Sequence, residues 1–136
     1  MATDTKESVP FGLHLMVDAY NCDPAVLNDA NILYKVLDTI PELLHMKKMI
    51  KPYIVTTPGN GHHDPGGWSG FVIIEESHVS LHTFVKKGFV TLDVYSCQMF
   101  DTEPPLNYIR EIFKTNDLEV YTQVRGQKYP GQNIHK

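Results

Sequence analysis

Residues Ser69–Cys97 constrain the fold more tightly than any other part of this 136-residue chain. Phe71–Ile74 is a run of apolar β-formers. Val79, Leu81 and Thr83 then alternate with His78, Ser80 and His82, and after Gly88 the residues Phe89, Thr91, Asp93 and Tyr95 alternate with Val90, Leu92, Val94 and Ser96. A period of two marks half-buried strands, so the stretch reads as three strands in succession. The polar Glu75-Glu76-Ser77-His78 falls where the first strand hands over to the second. A carboxylate pair, a hydroxyl and two imidazoles at a core hairpin are chemistry in search of a purpose.

The rest of the chain builds outward from these strands. Phe11, Leu13, Leu15, Val17 and Ala19 alternate with Gly12, His14, Met16, Asp18 and Tyr20 in a first strand, which Asn21-Cys22-Asp23-Pro24 breaks. Asp29 caps a helix with the inward stripe Ile32, Leu33, Val36, Leu37 and Ile40, and Pro41 interrupts or ends it. Tyr53–Thr57 is a short strand, and the loop from Pro58 to Gly67 is rich in residues that tolerate unusual backbone angles. Thr102 and Pro104-Pro105 open a second helix with Leu106, Ile109, Ile112 and Phe113 facing inward; Asn116-Asp117 ends it, and Leu118–Val124 is the last strand. The order β-α-β-β-β-β-α-β predicts an α+β fold, a two-layer α/β sandwich with an antiparallel sheet and two helices on one face. A second protomer is the simplest cover for the other face, so dimerisation through the sheet is expected. One domain is expected over residues 11–126, between a disordered lead-in at 1–10 and a tail at 127–136.

Composition narrows the function. The chain is 42% hydrophobic and 21% charged, in the ordinary range for one globular domain. Its net charge of −4, with Lys47-Lys48 and Lys86-Lys87 as isolated pairs, argues against a nucleic-acid partner. No apolar run approaches the roughly 20 residues of a membrane span. The polar N-terminus points to the cytoplasm, where Cys22 and Cys97 are expected as free thiols. His62-His63-Asp64 and the His78/His82 pair invite a metal reading, but four residues along a strand separate side chains by roughly 13 Å, too far to share one zinc. No metal is expected. Taken alone, a Ser-His pair on a strand is more often a solvated polar pair than a catalytic one, and Cys97 more often a buried thiol.

Several fragments change that balance together. Gly12-x-His14-Leu15, Ser69-Gly70, Glu76-Ser77-His78, His82-Thr83, Asp93-x-x-x-Cys97 and Arg125-Gly126, in this order, resemble the small prokaryotic S-adenosylmethionine decarboxylases over residues 11–126. The resemblance implies that the chain makes its own cofactor. Ser77 attacks the carbonyl of Glu76, the amide becomes an ester, and elimination and hydrolysis leave a pyruvoyl group on a new chain. A β chain of residues 1–76 and an α chain of 77–136 would result. Ser69 and His82 match the residues that support this cleavage, through a donor for the oxyanion and a base for the α-proton. The pyruvoyl ketone then forms a Schiff base with the substrate amine and accepts the electrons left as carbon dioxide departs. Cys97 matches the proton donor to the decarboxylated carbon, and Glu76 becomes a chain end beside the substrate. The family also implies a homodimer of αβ protomers, with active sites near the interface between sheets.

Two departures bear on substrate. After the second His-Thr the family text is Trp-Pro-Glu, whereas this chain reads Phe84-Val85-Lys86. The glutamate binds ribose hydroxyls, and a lysine at Lys86 cannot accept those hydrogen bonds. Where the family has an aromatic residue that stacks on adenine, the loop offers His63. The family includes members that have switched to L-arginine or L-ornithine, so the reading leans toward such an amino acid, with S-adenosylmethionine as the alternative. An unprocessed regulatory homologue is a third reading. Ser77 and His82 would also face opposite sides of an unbroken strand, so a turn or bulge is expected between them.

Overall fold

The structure, a computed structural model, describes residues 10–130, so residues 1–9 of the expected lead-in and 131–136 of the expected tail lie outside the described residues. Side-chain alternation decides which way each strand faces. The strands are β1 (Gly12–Tyr20), β2 (Tyr53–Thr57), β3 (Gly67–Ile74), β4 (Ser77–Phe84), β5 (Phe89–Ser96) and β6 (Asp117–Arg125). They form one sheet in the order β2-β3-β4-β5-β1-β6, every neighbouring pair antiparallel. Leu13, Leu15, Val17 and Ala19 of β1, Val79 and Leu81 of β4, and Val90, Leu92 and Val94 of β5 are buried on one face.

Helices cover that face. α2 (Ala30–Leu43) presses Leu33, Val36, Leu37 and Ile40 into the core, and α3 (Glu103–Phe113) adds Leu106, Ile109 and Phe113. Each such side chain contributes about 1.5–3 kcal/mol on burial. Asp29 caps α2 as its sequence predicts, its Oδ1 accepting from the amides of Asn31 and Ile32. The two-layer α+β sandwich is the observed architecture.

Local signals differ from expectation in four places. A short helix α1 (Pro24–Leu27) follows β1, because Asp23 accepts from the Ala25 amide and Pro24 takes the first helical position. α2 runs through Pro41 to Leu43; the proline sits in the last turn, where few bonds remain to be lost. Thr102 stands at the start of α3 without capping it, while the Asp101 carboxylate accepts from the Glu103 amide. α3 ends earlier than Asn116, at Phe113, where Lys114 turns left-handed with φ 57°.

The other face carries no helix among the described residues. His14, Met16 and Asp18 of β1, Ser80 and His82 of β4, and Asp93 and Tyr95 of β5 lie on it, with the exposed Tyr53, Val55, Phe71, Ile73 and Tyr121 around them. The sheet is thus finished on one side and open on the other.

Candidate active site

The hairpin between β3 and β4 has only two turn residues, Glu75 and Glu76, because Ile74 pairs with Ser77. Two-residue hairpins prefer turns with positive φ at a Gly, Asn or Asp. Neither glutamate adopts a positive φ; Ser77 does, at 153°. That region suits glycine, and a non-glycine residue held there costs on the order of 1–3 kcal/mol. The backbone strain of the reversal therefore sits on the residue expected to attack.

The carbonyl it would attack is already held. The Cys97 amide donates to the Glu76 carbonyl oxygen at 2.8 Å, extending the β4–β5 ladder past Ser77 and Ser96. An N–H aimed at this oxygen polarises the carbonyl and stabilises the oxyanion that attack creates. Gly12 makes room for the arrangement: a Cβ there would meet the Ser96 carbonyl oxygen at 1.9 Å and the Cys97 Cα at 2.6 Å. Cys97 itself is an exposed free thiol directly after β5, while Cys22 is buried. One carboxylate oxygen of Glu76, Oε1, is buried and has no hydrogen-bond partner among the described residues. Ser77, Glu76 and Cys97 are thus brought together at one end of the sheet.

Ser69 and His82 are brought to one another, but elsewhere. They pair across β3 and β4 on the open face, and Ser69 Oγ lies 2.8 Å from His82 Nδ1 in a hydrogen bond. A cavity of about 270 Å³ opens beside them, walled by Tyr53, Val55, Phe71 and Ser80. The bulge expected between Ser77 and His82 is absent: β4 keeps regular register with both neighbours from Ser77 to Phe84. Cross-strand pairing on two sides leaves no slack for an extra residue. Five residues of unbroken strand span about 16 Å, so the two side chains of one protomer do not meet.

The two departures from the family text lie farther still. Lys86 is exposed in a 3₁₀ turn, Val85–Lys87, beyond the far end of β4, and His63 is exposed in the loop before β3. Both belong to the end of the sheet away from Ser77. Among the described residues no group of three or more His, Cys, Asp and Glu side chains is placed to hold a metal ion. Among the described residues no helix is long and apolar enough to cross a membrane.

Sequence reasoning missed the Cys97 amide, since a backbone donor leaves no mark in a residue pattern, and read Gly12 only as a position in the first strand and as part of a fragment. It also missed the polar chain across the open face. His14 Nε2 lies 2.9 Å from Asp93 Oδ1, the Tyr95 ring lies beside those of both His14 and His78, and Arg125 stacks 4.6 Å from its centroid. Burial, and then the nearby Glu119 and Asp93, push the Asp18 carboxyl up from its ordinary value. Charge on this face is crowded before anything covers it.

Comparison with known proteins identifies the family and the fold. The family model described as S-adenosylmethionine decarboxylase matches residues 13–126. The chain is 34% identical over 116 residues to the S-adenosylmethionine decarboxylase proenzyme of Pyrococcus furiosus, covering 85% of this chain and 78% of that one. It is 31% identical over 117 residues to the proenzyme of Acidithiobacillus ferrooxidans, covering 85% and 83%. The crystal structure of the adenosylmethionine decarboxylase from Aquifex aeolicus shares the fold, with a TM-score of 0.71 and 23% identity over 88% of this chain and 93% of that one. The chain belongs to the S-adenosylmethionine decarboxylase family, a family of pyruvoyl-dependent decarboxylases that draw the pyruvoyl group from a serine of their own chain.

Proposed function

We propose that the chain is a self-splitting proenzyme whose mature form decarboxylates S-adenosylmethionine. The observation that carries the reading is the Glu76 carbonyl held by the Cys97 amide at 2.8 Å beside a Ser77 of φ 153°. Ser77 Oγ adds to the Glu76 carbonyl carbon, the Glu76–Ser77 C–N bond breaks, and an ester replaces the amide. Loss of the Ser77 α-proton then expels the Glu76 carboxylate and leaves a dehydroalanine at position 77. Water hydrolyses its imine tautomer to the pyruvoyl group and releases ammonia. The products are a β chain of residues 1–76 and an α chain of 77–136 within one domain.

A dimer completes the site. Ser69 and His82 carry the second donor and the base, but about 16 Å of unbroken strand keeps them from Ser77 of the same chain. Two open faces packed about a two-fold axis that crosses the strands lay the Ser69–His82 pair, the His63 loop and Lys86 of one copy toward the Ser77 end of the other. The exposed Tyr53, Phe71 and Ile73 fit such a cover. A reducing cytoplasmic setting suits the two unpaired thiols.

In the mature protein the pyruvoyl ketone supplies the electron sink for loss of carbon dioxide from an α-amino acid. The chain's own residues orient and protonate: the Cys97 thiol delivers a proton to the decarboxylated carbon, and the cavity beside Ser69 and His82 receives the substrate's far end. The named relatives support S-adenosylmethionine as that substrate. A second reading, L-arginine or L-ornithine, has one observation in its favour, the exposed cation of Lys86 where the family text has an acid. Incubating the protein with each compound and identifying the amine decides between them. Decarboxylated S-adenosylmethionine supports the first reading, and agmatine or putrescine the second. Mass spectrometry gives the prior test: two chains divided before Ser77 are expected, and an intact 15.5 kDa chain with an ordinary serine defeats both. Cys97→Ala is expected to split normally and to turn over about 10²–10⁴-fold more slowly.

A further inference from the structure

The scissile turn is gripped from two sides, and only one grip belongs to the sheet's own ladder. On the β5 side the Cys97 amide holds the Glu76 carbonyl at 2.8 Å. On the opposite edge of β3, residues 46–49 run alongside the strand's end as a strap. The Lys47 carbonyl accepts from the Glu75 amide at 2.8 Å, the Met49 amide donates to the Ile73 carbonyl at 2.8 Å, and Lys48 forms an isolated bridge with Ile74. A lone bridge of this kind is weak, being one residue pair with no ladder to continue it.

Lys48 supplies what the bridge lacks. Its Nζ donates to the Asp38 carboxylate at 2.7 Å, the Glu42 carboxylate at 2.8 Å and the Asp38 carbonyl at 3.0 Å. All three acceptors lie on the last turns of α2, the main helix packed on the sheet. The strap starts from the same helix, since Met46 is buried and its amide donates to the Pro41 carbonyl at 2.9 Å. Hydrogen bonds to Asp38 and then Glu42 push the Lys48 pKa up, so the clamp stays charged through the neutral range. A rigid helix, a charged clamp and one carbonyl thus end on the amide of Glu75, the first of the two turn residues that precede the bond that breaks.

We infer that Lys48 is a positioning residue for self-cleavage: through the strap it holds Glu75 while the Cys97 amide holds Glu76, so that the strain of the two-glutamate turn falls on Ser77 rather than relaxing into the loop. The physical reason is economy of motion. A two-residue hairpin without glycine relaxes if either flank is free, and misplacement by about 1 Å at a reacting centre can cost ~10²-fold in rate. Lys48 touches neither the nucleophile nor the substrate. Its effect is confined to the precursor, because the Glu76–Ser77 bond no longer exists in the mature protein.

The inference rests on the proposed splitting before Ser77, and the test separates the two. The half-time of conversion from one chain to two is measured for freshly refolded wild type, Lys48→Met and Lys48→Arg, together with the melting temperature of each precursor and kcat and KM per mature site. Lys48→Met is expected to split 10–100-fold more slowly, to keep the melting temperature of the precursor within a few degrees, and once split to match the wild type in kcat and KM. Lys48→Arg keeps the charge and the reach, and is expected to restore the rate. Asp38→Asn combined with Glu42→Gln removes the same clamp from the helix side and is expected to slow splitting as Lys48→Met does. Splitting of Lys48→Met at the wild-type rate overturns the inference. Slow splitting that simply follows a lowered melting temperature, without rescue by arginine, overturns it too and leaves Lys48 a stabilising residue. A wild-type chain that never splits overturns the reading beneath it, and is recognised from the control alone.

Discussion

The two faces of the sheet are made by the same alternation and have opposite properties. Toward the helices, Leu15, Val17, Leu81, Leu92 and Val94 are at most 1% exposed, and the polar exceptions, Thr83 and Ser96, are hydrogen-bonded: Thr83 to the Leu27 carbonyl, Ser96 from the Gln98 amide. Away from them, residues one position along in each strand form a partly wet surface of histidines, carboxylates, hydroxyls and aromatic rings. The covered face holds the fold together by burial. The open face holds its polar groups in fixed places because they ride on strands the covered face has made rigid. The proposed chemistry draws on the second face at Ser69 and His82 and on the end of the sheet at Ser77 and Cys97, and stability rests on the first.

The strongest way to break that division is to ask whether one open face is enough. Ser77→Ala and His82→Ala each leave a chain expected not to split alone. Mixed and refolded together, a dimer of one of each presents an intact Ser77 on the His82→Ala chain and an intact His82 on its partner. The His82→Ala chain is expected to split in the mixture, up to the share of mixed dimers, and the Ser77→Ala chain never. No splitting in a mixture shown to form mixed dimers would place His82 and Ser77 in one protomer, against the strand geometry.

A smaller but still large contrast is expected between the two thiols. Cys22 lies under the sheet's covered side, where burial, followed by the charge of Asp117, raises its pKa to about 11. At pH 8 only about one molecule in a thousand carries that thiolate. Cys97 is exposed. Iodoacetamide at pH 8 is therefore expected to label Cys97 in the native protein well before Cys22, and to label both at similar rates in denaturant. Equal native rates would mean that the covered side opens far more often than its packing implies.

The smallest effect sharpens the comparison in free energy. Leu81→Ala, on the covered face of β4, is expected to lower stability to urea by about 2–5 kcal/mol. Phe71→Ala, on the open face of β3, is expected to cost the isolated protomer under about 1 kcal/mol and to weaken dimerisation instead, read as a shift toward monomer in sedimentation at micromolar concentration. Equal losses from both variants, with no change in assembly, would mean that the open face is merely surface.

Much of this was legible in the residues themselves. The period of two in Val79–Thr83 and Val90–Ser96 states which side chains share a face, because Cβ direction alternates along any strand. Asp29 announces a helix start because a carboxylate at that place satisfies amides the helix leaves free. Pro41 misled, since its cost depends on how many helical bonds follow it and the chain does not state where a helix ends. The fragments carrying Ser69, Ser77, His82 and Cys97 named the chemistry without saying which of them meet.

What the sequence determined alone is therefore the face of each residue, a consequence of local periodicity, while the proposed reacting groups came from the family resemblance of its fragments. Tertiary structure decided the rest. Only pairing of β4 with β3 and β5 together shows that the strand has no bulge, and so that Ser77 and His82 of one chain stay apart. Only the register of β5 brings the Cys97 amide to the Glu76 carbonyl, and only the packing of α2 lets Lys48 pin the strap beside Glu75. Each of these is set by register, turn geometry and helix packing, which many distant side chains specify jointly and no local pattern specifies by itself.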